Sequence, residues 1–252
     1  MRTLMIAALF GATAFSGIAR AEPASVAASV SATTQRSPDN AKLDEGRKPV
    51  EVLAFLGLEK GMKVADMFGG NLYWAEIFAP SVGSTGQITI WQPTQFINDK
   101  RRATLTEFAA KNPNLIWLTS PFQDPRIGTD QYDFMLINMD YHDVYWSSDE
   151  RKIPPMNPDE WLKTVYAAMK PGGVVGVIDH IASPGGDTRK VVDDLHRIDP
   201  TVVKADWLRA GFVLDGESDL LRNPADPHTS NVFDPSIRGK TDRFIYKFRK
   251  PK

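Results

Sequence analysis

The sequence predicts an α/β protein built on a doubly wound, mostly parallel, seven-stranded sheet that ends in a C-terminal antiparallel hairpin. From Pro49 onward, short apolar runs alternate with helical patterns, which is typical of parallel strands joined by crossover helices. Val174–Ile178 contains only valine, glycine and isoleucine, as expected for a strand buried on both faces. Phe212–Glu217 and Arg243–Phe248 are neighbouring strand-like runs at the C-terminus, and they predict the hairpin.

Composition limits the classes of function. The chain has 252 residues, of which 42% are hydrophobic and 24% are charged, and this suits one globular domain. Its formal net charge is −1, so nothing predicts a surface for nucleic acid or for an anionic membrane. The chain has no cysteine, which excludes disulfides and any cysteine-based zinc site.

The N-terminus divides into three predicted regions. Arg2 precedes the largely apolar run Leu4–Ile18 and then small residues at positions 19 and 21, which indicates a cleavable signal peptide over residues 1–21. We therefore expect an exported protein, periplasmic or secreted, without a stable membrane span after cleavage; the alternative is a single N-terminal anchor. Residues 22–42 are rich in alanine, serine and threonine without periodicity, and they predict a disordered linker. Residues 43–252 form the predicted domain.

The segment Val64–Trp74 resembles a nucleotide-binding turn. An apolar strand ends at Asp66, two glycines follow, and helical spacing resumes after Leu72. This arrangement lets backbone approach a nucleoside and offers N–H groups at a helix start. In the pattern acid-x-Gly-x-Gly-x-Gly, however, Phe68 and Leu72 occupy the first and third glycine positions. We expect these side chains to narrow the space for a ligand.

This turn and three further segments occur in the same order in class I S-adenosylmethionine-dependent methyltransferases, which the chain resembles over about residues 43–252. The segments are Asp66-x-x-Gly-Gly, Tyr132–Asn138, Met169–Val174 and Ala210–Phe212. The C-terminal half also resembles a group of exported bacterial predicted methyltransferases, through His196–Pro200, Leu221–Ala225 and Arg238–Asp242. The resemblance implies a Rossmann-like methyltransferase fold, S-adenosylmethionine as cofactor and methyl transfer to a small acceptor.

The resemblance also implies cofactor-binding residues, and they follow the first three strands: Asp66, Gly69, Gly70, Trp91, Gln92 and Phe122. Asp66 matches the acid that supports the cofactor's amino-acid end, although it could equally cap the next helix. Gln92 takes the place of the acid that binds the ribose, and Trp91 and Phe122 lie where adenine is read, with a core position as the alternative for Trp91. A neutral hydrogen bond contributes about 1 kcal/mol, against roughly 1.5–3 kcal/mol for a charged one, so we expect weakened affinity.

A second group of polar residues follows the fourth strand at Asp140-Tyr141-His142-Asp143. Carboxylates, a phenol and an imidazole this close together perturb each other's proton affinities. We hypothesise that His142 is a general base, that Asp140 or Asp143 orients its ring, and that Tyr141 shapes the acceptor pocket. Because ligands bind at the carboxyl edge of a parallel sheet, we expect this cluster and the Asp66 turn to share one cleft.

The remaining histidines suggest further roles at the same edge. Asp179 and His180 follow the fifth strand, and His228 lies in the proline-containing segment 221–242, which predicts an ordered flap. We expect His142, His180 and His228 to converge, with His196 apart in a helix.

Two other functions stay open. Asp140, His142, Asp179 and His180 could bind zinc, manganese or iron where catechol-type O-methyltransferases hold magnesium. A non-catalytic protein of the same fold could instead bind a small polar ligand.

Overall fold

The computed structural model describes residues 26–32 and 36–252. Its centre is one seven-stranded sheet. The strands are β1 (Lys63–Met67), β2 (Gln87–Pro93), β3 (Leu115–Ser120), β4 (Tyr132–Asn138), β5 (Met169–His180), β6 (Val213–Ser218) and β7 (Arg243–Arg249). Their spatial order is β3-β2-β1-β4-β5-β7-β6. The first five strands are parallel, and β7 runs antiparallel to both β5 and β6. The predicted fold class and terminal hairpin are confirmed.

Helices connect the strands and cover both faces of the sheet. In the described part of the chain they are α1 (Val26–Ser31), α2 (Pro38–Ala41), α3 (Asp44–Arg47), α4 (Pro49–Leu56), α5 (Ala75–Val82), α6 (Asp99–Lys111), α7 (Pro158–Ala168), α8 (Thr188–Leu195) and α9 (Pro200–Arg209). Short 3-10 turns lie at Gly69–Asn71, Thr94–Phe96 and His142–Tyr145. Of the helices described, none has both the length and the apolar character to cross a membrane.

Alternation along the strands divides the core into two layers. In β4, Phe134 and Leu136 join the layer that packs against α4 and α5, whereas Met135 and Ile137 join the layer that packs against α7 and α9. Gly176 of β5 allows α4 to approach the sheet, because a Cβ there would lie 2.5 Å from a methyl carbon of Leu56. Both faces of the central strands are therefore buried, and polar groups collect at the strand ends.

The N-terminal boundary of the ordered domain differs from the prediction. α1 packs on α5, where the Ser81 hydroxyl donates a hydrogen bond of 2.9 Å to the Ser29 hydroxyl. Arg36 is 4% exposed and pairs with both carboxylate oxygens of Asp44, at 2.6 and 2.9 Å. The disordered linker predicted for residues 22–42 is therefore wrong for the described residues in that range. The predicted signal peptide, residues 1–21, lies outside the described residues and stays a prediction.

The segment 221–242 is held as an ordered flap, as predicted. Arg197, which is fully buried, binds both carboxylate oxygens of Asp226 at 2.8 and 3.1 Å and also donates to the Ser230 carbonyl. Val232 of the flap donates its N–H to the carbonyl of Leu195, the last residue of α8. These bonds fix the flap over the carboxyl end of the sheet.

Candidate active site

Loops that follow β1, β2, β4 and β5 enclose three adjoining cavities at the carboxyl edge of the sheet. The turn cavity has a volume of about 690 Å³ and is lined by Phe68, Gln92 and Arg101, among others. The histidine cavity, of about 580 Å³, is lined by His142, His180 and His196 among others. Residues common to both cavities are Asn71, Phe96, Asp140, Asp143, Arg151 and Phe233. The expected common cleft is confirmed.

The third cavity, here called the basic cavity, has a volume of about 800 Å³ and adjoins the histidine cavity at Met139, His180, Val232 and Phe233. Seven basic side chains line it: Lys42, Arg47, Lys48, Arg222, Arg238, Lys240 and Arg243. Burial lowers the pKa of Arg243 to about 10, with the nearby charge of Arg47 adding to the effect. The cleft therefore changes from acidic to basic along its length.

The glycine turn keeps its backbone shape despite two replacements. Phe68 and Leu72 both adopt left-handed backbone, with φ of 60° and 65°. The Phe68 ring packs edge-on against Trp91 and Phe122, with centroid distances of 5.1 and 5.2 Å, and it lines the turn cavity. Leu72 instead packs into the core layer on the α5 side. Phe68 therefore narrows the turn cavity, whereas the structure buries Leu72 away from it.

Asp66 lies behind this turn as a buried acid. It is 1% exposed, its Oδ2 has no hydrogen-bond partner among the described residues, and neither the 3-10 turn nor α5 has a side-chain cap there. Burial raises the pKa of Asp66 to about 8, and the charge of Arg47 opposes the rise. Capping, the alternative considered for Asp66, is not observed. The fold therefore leaves a buried carboxyl oxygen beside Gly69 without a hydrogen bond from the described residues.

Arg47 is a site residue that the sequence analysis missed. Its guanidinium lies 4.1 Å from the centroid of the Tyr73 ring, and its buried Nη1 has no hydrogen-bond partner in residues 26–32 and 36–252. Burial lowers the pKa of Arg47, while Tyr73, Asp140 and Asp66 oppose this. The end of α3 thus contributes an unpartnered donor whose charge is felt at Asp66.

Gln92 connects β2 to the glycine turn. Its Oε1 accepts a hydrogen bond of 2.8 Å from the Gly70 N–H, and the residue lines the turn cavity. A Cβ on Gly70 would lie 2.3 Å from Gln92 Oε1 and 2.7 Å from Arg101 Nη1. Gly70 is therefore required for this close approach between the turn and Gln92.

The two aromatic residues predicted to bind adenine lie in the core. Trp91 and Phe122 are both fully buried, and the Trp91 Nε1–H donates to the Ser120 hydroxyl at 2.9 Å. Neither ring presents a face to the turn cavity, because Phe68 packs over both. The half-buried Phe96, which was not predicted from the sequence, lines both the turn cavity and the histidine cavity, as does the more exposed Phe233.

His142 lies between two carboxylates. Its Nδ1 is 2.8 Å from one oxygen of Asp179, and its backbone N–H donates to the other oxygen, also at 2.8 Å. Its Nε2 is 3.3 Å from Asp143 Oδ1. The carboxylate that fixes the ring is therefore Asp179, from β5, and not Asp140. Asp143 contacts the opposite nitrogen, which faces the histidine cavity.

These contacts argue against the predicted general-base role of His142. Burial alone would lower its pKa, but the charges of Asp179 and Asp143 outweigh burial and raise the pKa to about 9. A histidine that keeps its proton at neutral pH is a poor base for an acceptor. Burial also raises the pKa of Asp140, and the charge of Asp143 adds to this.

Tyr141 points away from the cleft and does not shape an acceptor pocket. Its O–H donates to Asp206 of α9 at 2.9 Å, and its ring packs between Trp161 and Trp207. Tyr145 donates to the same carboxylate oxygen at 2.5 Å. Tyr141 therefore ties the 3-10 turn to α9, while its neighbour His142 turns toward the cavity.

Three histidines converge, but they are not the three predicted. The rings of His180 and His196 lie 6.0 and 5.5 Å from that of His142. His196 ends α8 with a φ of 51° and places its Nδ1 3.6 Å from Asp143 Oδ1. His228 instead binds the buried carboxylate of Asp242 within the flap, with its Nε2 at 3.0 Å.

The metal site that was the alternative from sequence does not form as predicted. Both oxygens of Asp179 already accept from N–H groups of His142 and His180. His180 directs its Nδ1 to the Thr241 hydroxyl at 2.7 Å. Asp179 and His180 are thus occupied by bonds within the protein. Of the predicted set, Asp140, His142 and His180 line the histidine cavity, and Asp179 does not.

Comparison with known proteins identifies the fold. No protein-family model matches the chain, and no curated protein matches it significantly. A SAM-dependent methyltransferase from Aquifex aeolicus aligns with a TM-score of 0.57 and 16% identity over 88% of this chain and 97% of that one. A 1,6-didemethyltoxoflavin-N1-methyltransferase from Burkholderia thailandensis, solved with S-adenosylhomocysteine, aligns with a TM-score of 0.53 and 13% identity over 85% and 80%. The chain has the methyltransferase fold.

The methyltransferase fold does not by itself decide the reaction. The 4+2 cyclase SpnF also aligns, with a TM-score of 0.55 and 16% identity over 82% of this chain and 80% of that one. One scaffold therefore carries different activities, and function has to be argued from side chains. Phe68 and Gln92 depart from the methyltransferase sequence pattern described above. These two side chains and the cluster around His142 are the residues from which the function is argued.

Proposed function

We propose that this protein is an S-adenosylmethionine-dependent methyltransferase that acts on a small acceptor. Two features support the proposal. The fold is that of solved methyltransferases, and the Asp66 turn opens onto the same cleft as the Asp140–Asp143 cluster. Each of the three cavities lies within the roughly 300–1,000 Å³ that is usual for small-molecule sites.

The proposal rests on two buried polar groups that lack a hydrogen-bond partner in the described structure, one an acceptor and the other a donor. Asp66 Oδ2 is an acceptor and Arg47 Nη1 is a donor, and neither has a hydrogen-bond partner in the described structure. Such groups are expensive to bury unless a ligand completes them. The amino-acid end of S-adenosylmethionine carries one ammonium and one carboxylate, which match Asp66 and Arg47. When bound, this cofactor supplies an electrophilic methyl group.

The turn cavity suits the nucleoside half of that cofactor. The Gln92 amide lines one wall, held there by the Gly70 N–H, and an amide offers both an acceptor and a donor to the hydroxyl groups of a ribose. Phe96 provides the aromatic surface in place of Trp91 and Phe122. Phe68 reduces the room beside the turn, so we expect binding weaker than in a site with glycine there.

Asp140 is the residue best placed to act on the acceptor. It lines both the turn cavity and the histidine cavity, so it stands where a donor and an acceptor would meet. Methyl transfer is an in-line displacement in which the protein positions the acceptor and removes its proton. We assign proton acceptance to the Asp140 carboxylate, and positioning to the surrounding His142, Asp143 and Phe233.

Calorimetric titration of the full chain with S-adenosylmethionine tests the cofactor site. We expect saturable binding that is weakened about 10- to 150-fold in Arg47→Gln, because the variant loses a charge-assisted hydrogen bond of roughly 1.5–3 kcal/mol. Arg209→Gln is the matched control, since Arg209 pairs with Asp159 and Asp206 on α7 and α9, away from the cleft. No heat of binding by protein that is folded by circular dichroism would refute the proposal.

The second candidate is a binding protein of this fold without transfer activity. The packing of the Phe68 ring against Trp91 and Phe122 favours it, because that ring takes space beside the glycine turn. The two candidates differ in a radiolabel assay with a panel of small oxygen and nitrogen nucleophiles. Cofactor binding without label transfer to any of them supports the binding protein, whereas transfer that Asp140→Asn abolishes supports the enzyme.

A further inference from the structure

We propose that His142, Asp143 and His196 form a binding site for a divalent transition-metal ion at the wall of the histidine cavity. One nitrogen from each histidine and one oxygen of Asp143 all lie within 4.8 Å of one another. The site shares only His142 with the metal site suggested by the sequence. It shares His142 and Asp143 with the acceptor side of the proposed function but no side chain with the cofactor site, so cofactor binding and metal binding are tested separately.

The distances in this cluster suit a metal ion. Asp143 Oδ1 is 3.3 Å from His142 Nε2 and 3.6 Å from His196 Nδ1. Ligand atoms held about 2.0–2.2 Å from a tetrahedral zinc ion stand roughly 3.3–3.6 Å from each other. The Asp143 oxygen therefore already lies at ligand spacing from both imidazoles, and a small rotation of the His196 ring completes the set.

Asp143 itself provides the second observation. Its Oδ1 is buried and forms no hydrogen bond within the described residues, because its contacts with the nitrogens of His142 and His196 have ion-pair distances without hydrogen-bond geometry. A buried carboxylate oxygen without a partner is costly, by about 1–3 kcal/mol or more. A cation bound between Asp143, His142 and His196 removes this cost, because one ion satisfies the oxygen and both nitrogens together.

Asp179 holds His142 as an outer carboxylate holds a metal ligand. It is fully buried, and it accepts from Nδ1 of the ring and from the His142 backbone N–H. Histidine ligands of metals almost always bond to a carboxylate or carbonyl through their second nitrogen, which fixes the tautomer and the direction of the first. Here that arrangement aims Nε2 at Asp143, and the imidazole side chain is only 4% exposed.

His196 is held in place at a cost in backbone energy. Its φ of 51° is left-handed, which costs roughly 1–2 kcal/mol for a residue with a side chain. Phe233 and Trp146 pack on its ring, at centroid distances of 5.0 and 5.8 Å. Strained residues of this kind cluster at ligand sites, and here the strain directs the His196 ring toward Asp143.

The ligand set indicates the class of metal. Two imidazoles and one carboxylate, without a thiolate, favour zinc, iron or manganese over magnesium or calcium, which prefer oxygen ligands. Three protein ligands leave coordination positions open, as in catalytic zinc sites. Those positions face the histidine cavity, which Asp140 also lines, so water or an oxygen atom of a small ligand has access to the ion.

A metal titration distinguishes this site from an ion pair of protonated His142 with Asp179 and Asp143. The full chain is stripped with a chelator, dialysed, and titrated with zinc chloride in a calorimeter. We expect one zinc ion per chain, retained through gel filtration and counted by elemental analysis. Cobalt(II), loaded in the same way, should give the visible absorption bands of a low-coordinate histidine–carboxylate site.

Variants locate the metal ligands. Asp143→Asn and His196→Ala should each weaken zinc binding by more than about 100-fold, and Asp179→Asn, in the outer position, by roughly 10- to 100-fold. Asp149→Asn and His228→Ala are matched controls outside the cluster, and both should bind zinc like the unaltered chain. Circular dichroism in chelator verifies folding, and Asp143→Asn decides the outcome if His196→Ala unfolds.

Each outcome of the zinc titrations either supports the metal site or overturns it. Stoichiometric zinc that is lost in Asp143→Asn but kept in His228→Ala establishes the site. A folded chain that takes up no zinc overturns it, as does zinc binding that Asp143→Asn leaves unchanged. Binding of S-adenosylmethionine is measured in a separate titration, so failure of the metal site and failure of the proposed function are independent results.

Discussion

The two sides of the cleft, the turn side around Asp66 and the rim side around His142, bury polar groups in opposite ways. On the turn side, Asp66 Oδ2 has no hydrogen-bond partner in the described part of the chain, and burial raises the pKa of Asp66 to about 8, so the group is kept largely neutral. On the rim side, His142 lies between Asp179 and Asp143, and its charge is kept by ion pairing. Burial of a charge is tolerated only when it is paired or neutralised, and this molecule uses both solutions on neighbouring strands.

This difference indicates that the two sides of the cleft have different roles. The turn side is built within one strand–turn–helix unit, and a ligand with a cationic group can complete it. The rim side draws on the 3-10 turn after β4, the end of β5 and the end of α8, and its charges are held before any ligand arrives. The first side is therefore expected to respond to ligand binding, and the second to define where the reaction takes place.

The largest expected effect concerns Asp66 and pH. Its pKa rises from 3.8 in the unfolded chain to about 8 in the fold, so between these values the folded protein holds a proton that the unfolded chain has lost. Stability from this group is complete below pH 3.8 and falls as pH rises toward 8. In Asp66→Asn this loss is absent. Between pH 5 and pH 8, the unfolding free energy of the variant relative to the unaltered chain should rise by about 4 kcal/mol, at roughly 1.36 kcal/mol per pKa unit.

Urea unfolding at a series of pH values measures this difference, since other titrating groups cancel between the two proteins. Asp193→Asn, which changes an exposed acid on α8, is the control and should give a constant difference. A constant difference for Asp66→Asn as well would mean that Asp66 is charged in the fold, and the contrast between the two sides of the cleft would disappear.

The next effect, on stability and affinity together, concerns Phe68. Phe68→Gly removes a buried ring, which costs roughly 3–5 kcal/mol, but it relieves left-handed backbone by about 1 kcal/mol. We expect a net loss of about 3 kcal/mol in unfolding free energy, together with tighter binding of S-adenosylmethionine because the turn cavity widens. Leu72→Gly gives the same backbone relief in the opposite core layer, and it should lose stability without gaining affinity. Equal affinity in both variants would show that Phe68 does not limit the cofactor site.

Sequence reasoning succeeded where structure is local. Alternating apolar and amphipathic runs predicted the sheet, and the Asp66 turn and the Asp140–Asp143 segment were identified because their residues are contiguous. The common cleft followed from the rule that parallel strands end at one edge. The described residues of the predicted linker are ordered because Ser29 and Arg36 find partners on α5 and α3, which composition alone does not show.

The site residues that were predicted wrongly or missed depend on the direction of a side chain or on contacts between residues that are distant in sequence. Tyr141 and His142 are consecutive, and only the packing of Trp161 and Trp207 decides which of the two faces the cavity. Asp179 lies 37 residues beyond His142, and Arg47 reaches Asp66 from α3. The position of the His196 ring depends on the left-handed φ of His196, directly after α8. The side-chain pattern around His196 does not predict that backbone conformation.

The smallest expected effect comes from a variant that restores a charge to the turn side. Gln92→Glu places a carboxylate where the Gly70 N–H already donates at 2.8 Å, and Arg101 lies close enough to balance the new charge. A charged acceptor for the ribose should add about 1 kcal/mol, or roughly fivefold tighter binding of S-adenosylmethionine. Gln95→Glu is the matched control in the same cavity, because Gln95 accepts from the Phe122 N–H and not from the turn. Calorimetry on both variants measures the change, and its sign carries the information. Tighter binding by Gln92→Glu alone supports a ribose beside Gly70, whereas weaker binding means that a charge at this wall disturbs the neutral environment that Asp66 requires.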